Sequence, residues 1–210
     1  MSNKNSHILL VEGAEDQEFI YQLSNYYQIP RGTFSIENKR GYERLIKNLP
    51  IDIEIRSDVK SIGIVVDADN DIQTRWQSIC ERLQESGYFN LPDRPLEEGL
   101  ILEQDNMPTI GVWIMPDNAY SGILEDFAKM MVPDNDKLWQ RAIHCVDQIP
   151  AEERRFMPTH TGKAYIHTWL AWQEEPGRPL GLSITKRYLA GDANVAQSFA
   201  GWMKQLFTLS

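Results

Sequence analysis

Residues 62–71 read Ile62-Gly63-Ile64-Val65-Val66-Asp67-Ala68-Asp69-Asn70-Asp71, a nearly unbroken β-branched run that passes directly into acidic residues. Such a run is typical of a central parallel strand that is covered on both faces. Helical spacing of apolar residues follows the turn, at Ile72, Trp76, Ile79 and Leu83. The stretch therefore predicts a strand, a turn and a helix in succession.

The same order occurs at the start of the chain. His7–Val11 is a short apolar run that Glu12 and Gly13 end, and a helical stripe then extends from Ala14 to Tyr27. Residues 34–38 alternate apolar and polar, as an edge strand does, and a short helix opens at Gly41. We expect Pro50 to end that helix, because proline lacks the N–H that a helix interior requires.

The rest of the chain predicts a hairpin and then helices. Residues 100–104 and 110–115 flank a turn-like tetrad at 105–108, and helical stripes follow at 121–131, 137–149, 162–173 and 194–206. We predict a single α/β domain over residues 1–210, with a mostly parallel sheet flanked by helices. Its core spans about residues 7–130 and includes the added β-hairpin, and a helical extension covers about residues 131–210.

Charge and hydropathy argue against a protein with a broad basic surface and against a membrane protein. Residues 1–150 carry 25 acidic and 14 basic side chains, within a net charge of −9, which argues against a broad basic face for nucleic acid. A polyanionic substrate would need bound cations, the basic residues of the last third, or a partner. No run approaches the roughly 18 apolar residues of a membrane helix. The polar residues 1–6 precede no signal-peptide core, so we expect no membrane association and a cytoplasmic location.

Acidic residues stand at the ends of two predicted parallel strands. Ligands of open α/β sheets bind at the carboxyl ends of strands, where Glu12 and Asp67 fall. Asp67 and Asp69 are two apart, so their side chains point the same way if the chain stays extended. Converging carboxylates repel one another, and Mg²⁺ or Mn²⁺ with oxygen ligands relieves that repulsion. The alternative is that a strand-end aspartate only caps the next helix.

Val11-Glu12-Gly13, followed about 55 residues later by Val66-Asp67-Ala68-Asp69, resembles the Toprim fold. Topoisomerases, bacterial primases, RecR-type recombination proteins and OLD-family nucleases share that fold. The resemblance covers roughly residues 7–130. It implies that Glu12 acts as a general acid or base, or as a metal ligand, and that Asp67 and Asp69 hold Mg²⁺.

A second resemblance extends over most of the chain. Residues 111–127, together with Lys163 and residues 167–173, resemble a family of uncharacterised bacterial Toprim-related proteins. By similarity to OLD-type nucleases, Asp16 joins the metal site and Lys163 stabilises charge in the transition state. A further acidic ligand would follow a later strand, and Glu125 is preferred there over Asp117 and Asp126.

Each of these additions has an ordinary structural alternative. Asp16 suits the first turn of a helix, Glu125 suits a solvated helix face, and Lys163 suits a helix start. His167 lies one turn beyond Lys163 and either faces the same cleft or packs in the interior. The aromatic residues of 165–207 favour packing between helices over a surface on which bases stack.

Three functions fit these patterns. The first is an Mg²⁺-dependent phosphodiester hydrolase that acts on nucleic acid, in DNA repair or phage defence. A topoisomerase or primase would need further domains that 210 residues do not accommodate. The second is a non-catalytic or partner-dependent binding or regulatory module, beside a separately encoded ATPase. The third is another Mg²⁺ enzyme, a phosphatase or nucleotide-sugar transferase, although phosphatases of the HAD type carry aspartate where this chain has Glu12.

Overall fold

Within residues 6–56 and 59–207, which the computed structural model describes, five strands form one mixed sheet. The strand order is β2-β1-β3-β5-β4, with parallel pairing throughout except for the antiparallel β4–β5 pair. The strands are β1 His7–Val11, β2 Ser35–Asn38, β3 Ser61–Asp67, β4 Leu100–Leu102 and β5 Thr109–Met115. The sheet confirms the α/β class, the edge position of β2, the central position of β3 and the predicted hairpin.

Eight α-helices flank this sheet in the described part of the chain. They are α1 Ala14–Tyr26, α2 Tyr42–Glu54, α3 Ile72–Glu85, α4 Leu124–Lys129, α5 Lys137–Asp147, α6 Thr161–Leu170, α7 Leu182–Thr185 and α8 Asn194–Leu206. Short 3-10 turns occupy Ala151–Glu153 and Pro158–His160. None of the described helices is long and apolar enough to cross a membrane.

Each face of the sheet carries its own hydrophobic core, because successive side chains of a strand point to opposite faces. Ile8 and Ile64 belong to the core with α2 and α3, whereas Leu9, Val65 and Trp113 belong to the core with α1, α4, α6 and α8. Trp169 and Trp202 are buried in the second core, which confirms the predicted packing for these two residues, whereas Trp172 is exposed. The helices after residue 130 therefore cover one face of the sheet together with α1 and α4.

A pair of glycines lets α8 lie close to the sheet. Gly63 of β3 and Gly111 of β5 are register partners. A Cβ atom on Gly111 would lie 2.5 Å from Leu206 Cδ2 and 3.0 Å from Trp202 Cζ2. A Cβ atom on Gly63 would lie 2.5 Å from Leu9 Cδ1 and 3.0 Å from Leu206 Cδ2. The two bare positions form a notch that the side chains of α8 fill.

Three helix boundaries differ by three or more residues from those predicted. The helix α6 ends at Leu170 and not at residue 173. The helix α2 continues through Pro50 to Glu54, because its buried face, including Leu49 and Ile53, holds it against the sheet beyond the proline. The helix α4 begins at Leu124 and not at residue 121. Its N-cap Ile123 is extended, with φ −135°, and the Ile123 N–H donates to Asp126 Oδ2 at 3.0 Å. The four-residue helix α7 was not predicted.

The glycine notch predicts that Gly111→Ala lowers the free energy of unfolding by about 1–3 kcal/mol, because the new methyl group overpacks against Leu206 and Trp202. Urea unfolding followed by tryptophan fluorescence measures this change. Gly201→Ala on α8 is the matched control, since nothing lies within 4 Å of its added Cβ. That substitution should stabilise the helix by about 0.5–1 kcal/mol. Equal effects of the two substitutions would contradict the notch.

Candidate metal centre

The turns after β1 and β3 bring two carboxylates together at one edge of the sheet. Val11 and Val65 are register partners in adjacent parallel strands, so Glu12, which follows β1, lies near Asp67, the last residue of β3. The backbone N–H of Asp67 donates to Glu12 Oε1 at 2.9 Å. Asp67 Oδ1 in turn accepts from the backbone N–H of Leu124 at 3.0 Å. Each carboxylate is thus oriented through one oxygen by a backbone donor.

Asp16 completes the inner part of this cluster. It lies in the first turn of α1 and is 8% exposed. Its Oδ2 accepts from the backbone N–H of Gly13 at 2.9 Å. This bond ties the helix start to the turn that carries Glu12, and Asp16 also lines the cleft at the sheet edge. Asp16 therefore lies both at a helix start and on the cleft, which are the two alternatives that the sequence left open.

Burial and mutual repulsion make these three carboxyl groups hard to ionise. Burial raises the pKa of Asp67 to about 9, and Asp16 and Glu12 contribute further. Burial likewise raises the pKa of Glu12 to about 7, although the Asp67 N–H and the charge of Arg75 oppose the rise. The pKa of Asp16 rises to about 6, mainly through burial. Oxygen donors of this kind suit a hard divalent cation, which would remove the repulsion.

A second group of side chains lies on the opposite wall. Glu125 of α4 is 3% exposed and forms an ion pair with Lys163 of α6. Lys163 Nζ also lies 3.8 Å from Glu15 Oε2, and His167 Nε2 lies 3.7 Å from Glu125 Oε1. Burial alone would raise the pKa of Glu125, but the neighbouring His167 and Lys163 outweigh it and lower the pKa to about 2. Glu125 is therefore held as an anion.

Asp69 does not have the extended conformation that would make its side chain point the same way as that of Asp67. The chain leaves the strand after Asp67, and Asp69 takes a left-handed conformation with φ 51°, so alternation along a strand does not apply. Its carboxylate forms an ion pair with Arg75. The Arg75 guanidinium lies 3.4 Å from the centre of the Tyr42 ring, which holds it in place. Asp69 lies outside the cleft lining, and its role as a metal ligand stays a prediction.

The other two acidic candidates also have local roles. Asp117 Oδ1 accepts from the backbone N–H groups of Ala119 and Tyr120 at 3.1 and 3.0 Å. Asp126 caps the start of α4 and pairs with Lys129 at 2.7 Å. Of the three candidates that follow the later strand, the cleft contains Glu125.

The cleft between these walls has a volume of about 480 Å³. Its lining residues are Glu12, Gly13, Ala14, Glu15, Asp16, Asn38, Arg40, Gly41, Asp67, Leu124, Glu125 and Lys163. The sequence interpretation did not include Glu15, Asn38 or Arg40. Among the described residues, Glu15, Glu125 and His167 form a group whose ligand atoms lie within 4.8 Å of one another. The i, i+4 spacing of Lys163 and His167 is the sequence signal that places the histidine on the same helix face as the lysine.

The fold and site define an α/β protein with an acidic cleft at the carboxyl edge of a mostly parallel sheet. Residues 6–208 match a family described as proteins of unknown function, DUF3226, and the chain belongs to that family. No curated protein matches the sequence.

Solved structures of the C-terminal region of the Xanthomonas campestris pv. campestris OLD protein are similar to this chain at 13% sequence identity. The structure phased with mercury covers 99% of this chain and 95% of its own, with a TM-score of 0.43. The structure phased with platinum covers 97% and 91%, with a TM-score of 0.44.

The raised pKa of Asp67 predicts a pH-dependent stability in the presence of EDTA. The folded protein retains the proton up to a pH near 9, whereas the unfolded chain releases it near 3.8, so the free energy of unfolding falls as pH rises between these values. Asp67→Asn keeps an oxygen acceptor and removes the charge. We expect this variant to be more stable than the parent by at least about 1 kcal/mol at pH 8 and similar at low pH. Urea unfolding from pH 5 to pH 9 measures the difference.

Asp105→Asn is the control for this measurement, because it removes one exposed negative charge from the loop between β4 and β5. Identical pH slopes for the parent, Asp67→Asn and Asp105→Asn would contradict the buried cluster.

The Asp69–Arg75 ion pair predicts that Arg75→Gln tightens the binding of Mg²⁺ or Mn²⁺ by about tenfold, because it frees a carboxylate and removes a cation near Glu12. Calorimetric titration of metal measures the affinity. At least half of the gain should vanish in an Asp69→Asn background. Arg82→Gln, which removes an arginine of the same helix paired with Glu85, should change nothing. Unchanged or weaker binding by Arg75→Gln would show that Asp69 takes no part in metal binding.

Proposed function

We propose that this chain is a divalent-metal-dependent phosphodiester hydrolase that acts on nucleic acid, with a Toprim-like centre. The observation that carries the proposal is the convergence of Glu12 and Asp67 at the ends of adjacent parallel strands, with Asp16 and Glu125 on the same cleft. A cleft walled by carboxylates is a poor site for a phosphate by itself. It becomes a suitable one when a divalent cation neutralises those carboxylates.

Mg²⁺ or Mn²⁺ is the cofactor that this donor set fits. Glu12, Asp16 and Asp67 would hold the ion, because their buried carboxyl groups have raised pKa values that a cation would reverse. Asp69 and Glu125 are further proposed ligands. When bound, such an ion supplies positive charge to the phosphoryl oxygens and activates water for attack.

The side chains around the ion have distinct proposed roles. Glu12, whose pKa lies near 7, is suited to exchange a proton at neutral pH, and its Oε1 is fixed by the Asp67 N–H. Lys163 presents an ammonium group at the cleft wall, where it would stabilise negative charge that develops on the phosphoryl group. Its ion pair with Glu125 raises the pKa of Lys163 against the effect of burial, so the group stays charged.

A second candidate is a partner-dependent binding or regulatory module. It is supported by the net charge of −9 and by the internal pairing of Lys163 with Glu125 and of Arg75 with Asp69. In that case a separately encoded ATPase is the proposed partner. A cytoplasmic location and a role in repair or phage defence stay predictions under both candidates.

Incubation of the purified protein with plasmid, single-stranded DNA and RNA, with Mg²⁺, Mn²⁺ or EDTA, separates the two candidates. We expect metal-dependent cleavage that falls at least about 100-fold in Asp67→Ala and in Glu12→Gln, because both remove a proposed ligand of the ion. Lys163→Met should lower kcat more than it raises KM.

Asp117→Asn is the matched control, because Asp117 follows a neighbouring strand but caps a turn outside the cleft. Undiminished cleavage by Asp67→Ala would remove Asp67 from catalysis. Absence of cleavage by the parent, together with a stable co-purifying ATPase, would favour the binding module.

A further inference from the structure

Most of the cationic side chains around the cleft form ion pairs with acidic neighbours. Lys163 pairs with Glu125, and Arg75 pairs with Asp69. Lys39, which follows β2, pairs with Asp52 at 2.7 Å and is 14% exposed. Each of these three cations therefore already has a carboxylate partner that neutralises part of its charge.

Arg40 differs from these three cations. It lines the same cleft and is exposed. It forms no ion pair with any residue in 6–56 or 59–207. Among those same residues it also donates no side-chain hydrogen bond, so its guanidinium is presented at the rim of the acidic cleft.

The backbone around Arg40 is strained and firmly held. Arg40 has a left-handed conformation with φ 62°, which costs free energy for a residue with a side chain. The Lys39 N–H donates to Val11 O at 2.9 Å, and the Gly41 N–H donates to Glu12 O at 2.8 Å. Between them the Arg40 N–H donates to Asn38 Oδ1 at 2.8 Å. These bonds fix the position of Arg40 relative to the turn that carries Glu12.

We propose that Arg40 binds a phosphate of the nucleic-acid strand next to the phosphodiester that enters the cleft. The inference rests on the proposed nucleic-acid substrate, but it concerns binding and not hydrolysis. Arginine suits this role because its planar guanidinium donates two parallel hydrogen bonds to phosphate oxygens. Arg40 would align the strand with Glu12 and Asp67, and it would supply the positive charge that the acidic cleft lacks.

Fluorescence anisotropy with a short labelled single-stranded oligonucleotide in Ca²⁺ tests the proposal without need of turnover. Arg40→Gln should weaken binding by about tenfold at moderate salt and reduce the dependence of affinity on salt by about one phosphate contact. Arg40→Lys should recover part of the affinity. Arg141→Gln, which removes an exposed arginine of α5 outside the cleft, is the matched control and should bind as the parent does.

Oligonucleotides with one neutral methylphosphonate linkage, moved along the strand, locate the contact. The parent should lose affinity when the linkage occupies one particular position, and Arg40→Gln should be insensitive to that same position. Equal sensitivity of the parent and Arg40→Gln at every position would overturn the proposal, as would a parent that binds no oligonucleotide. If binding depends on Arg40 but no cleavage occurs in Mg²⁺ or Mn²⁺, the inference stands and the hydrolase proposal fails.

Arg40→Gly separates binding from folding, because glycine adopts the left-handed conformation without strain. This variant should unfold at a temperature equal to or above that of the parent and should bind the oligonucleotide as weakly as Arg40→Gln. A loss of thermal stability in Arg40→Gly, with unchanged oligonucleotide affinity, would assign Arg40 to the fold alone.

Discussion

The hydrogen bond from the backbone N–H of Asp67 to Glu12 Oε1 sets the geometry on which the rest of the site depends. It joins the turns at the ends of β1 and β3. The next bond, from the Leu124 N–H to Asp67 Oδ1, attaches the start of α4 to the same point. Since Glu125 follows Leu124, these two bonds bring the second wall of the cleft to the first. A change in register between β1 and β3 would therefore displace both walls.

The electrostatic state of the cleft follows from the same geometry. The carboxyl groups of Glu12, Asp16 and Asp67 are largely buried and repel one another, so their ionised forms are disfavoured. Glu125 lies on the same cleft, yet it is kept ionised by Lys163 and His167. A bound cation would thus displace protons from the first three carboxyl groups, whereas Glu125 already has cationic neighbours. Carboxyl groups of one cleft therefore differ in protonation according to their neighbours: burial favours the protonated form of Asp67, whereas Lys163 and His167 keep Glu125 ionised.

The parts of the site that could be predicted from the sequence were those governed by local patterns. Glu12 and Asp67 follow apolar runs, and the rule that parallel strands end at one edge brings them together without knowledge of the packing. Asp69 could not be placed in this way, because its direction depends on a left-handed turn and on Arg75, six residues away.

Arg40 and Glu15 were missed for a related reason. Each lies in an ordinary polar setting in the sequence. Arg40 joins the cleft because β2 pairs with β1, and Glu15 meets Lys163 only when α6 packs nearby. The course of α2 through Pro50 likewise depends on tertiary packing, which outweighed a local signal.

The notch at Gly63 and Gly111 also has a consequence for the order in which this chain folds during synthesis. The strands β1, β3 and β5 precede α8 in the chain, so the notch on their sheet stays unfilled until the ribosome has delivered Trp202 and Leu206. Until that moment Trp113 lacks the rings of Phe199 and Trp202, which pack against it in the folded protein. The acidic cleft does not depend on this step, because its last lining residue is Lys163 of α6.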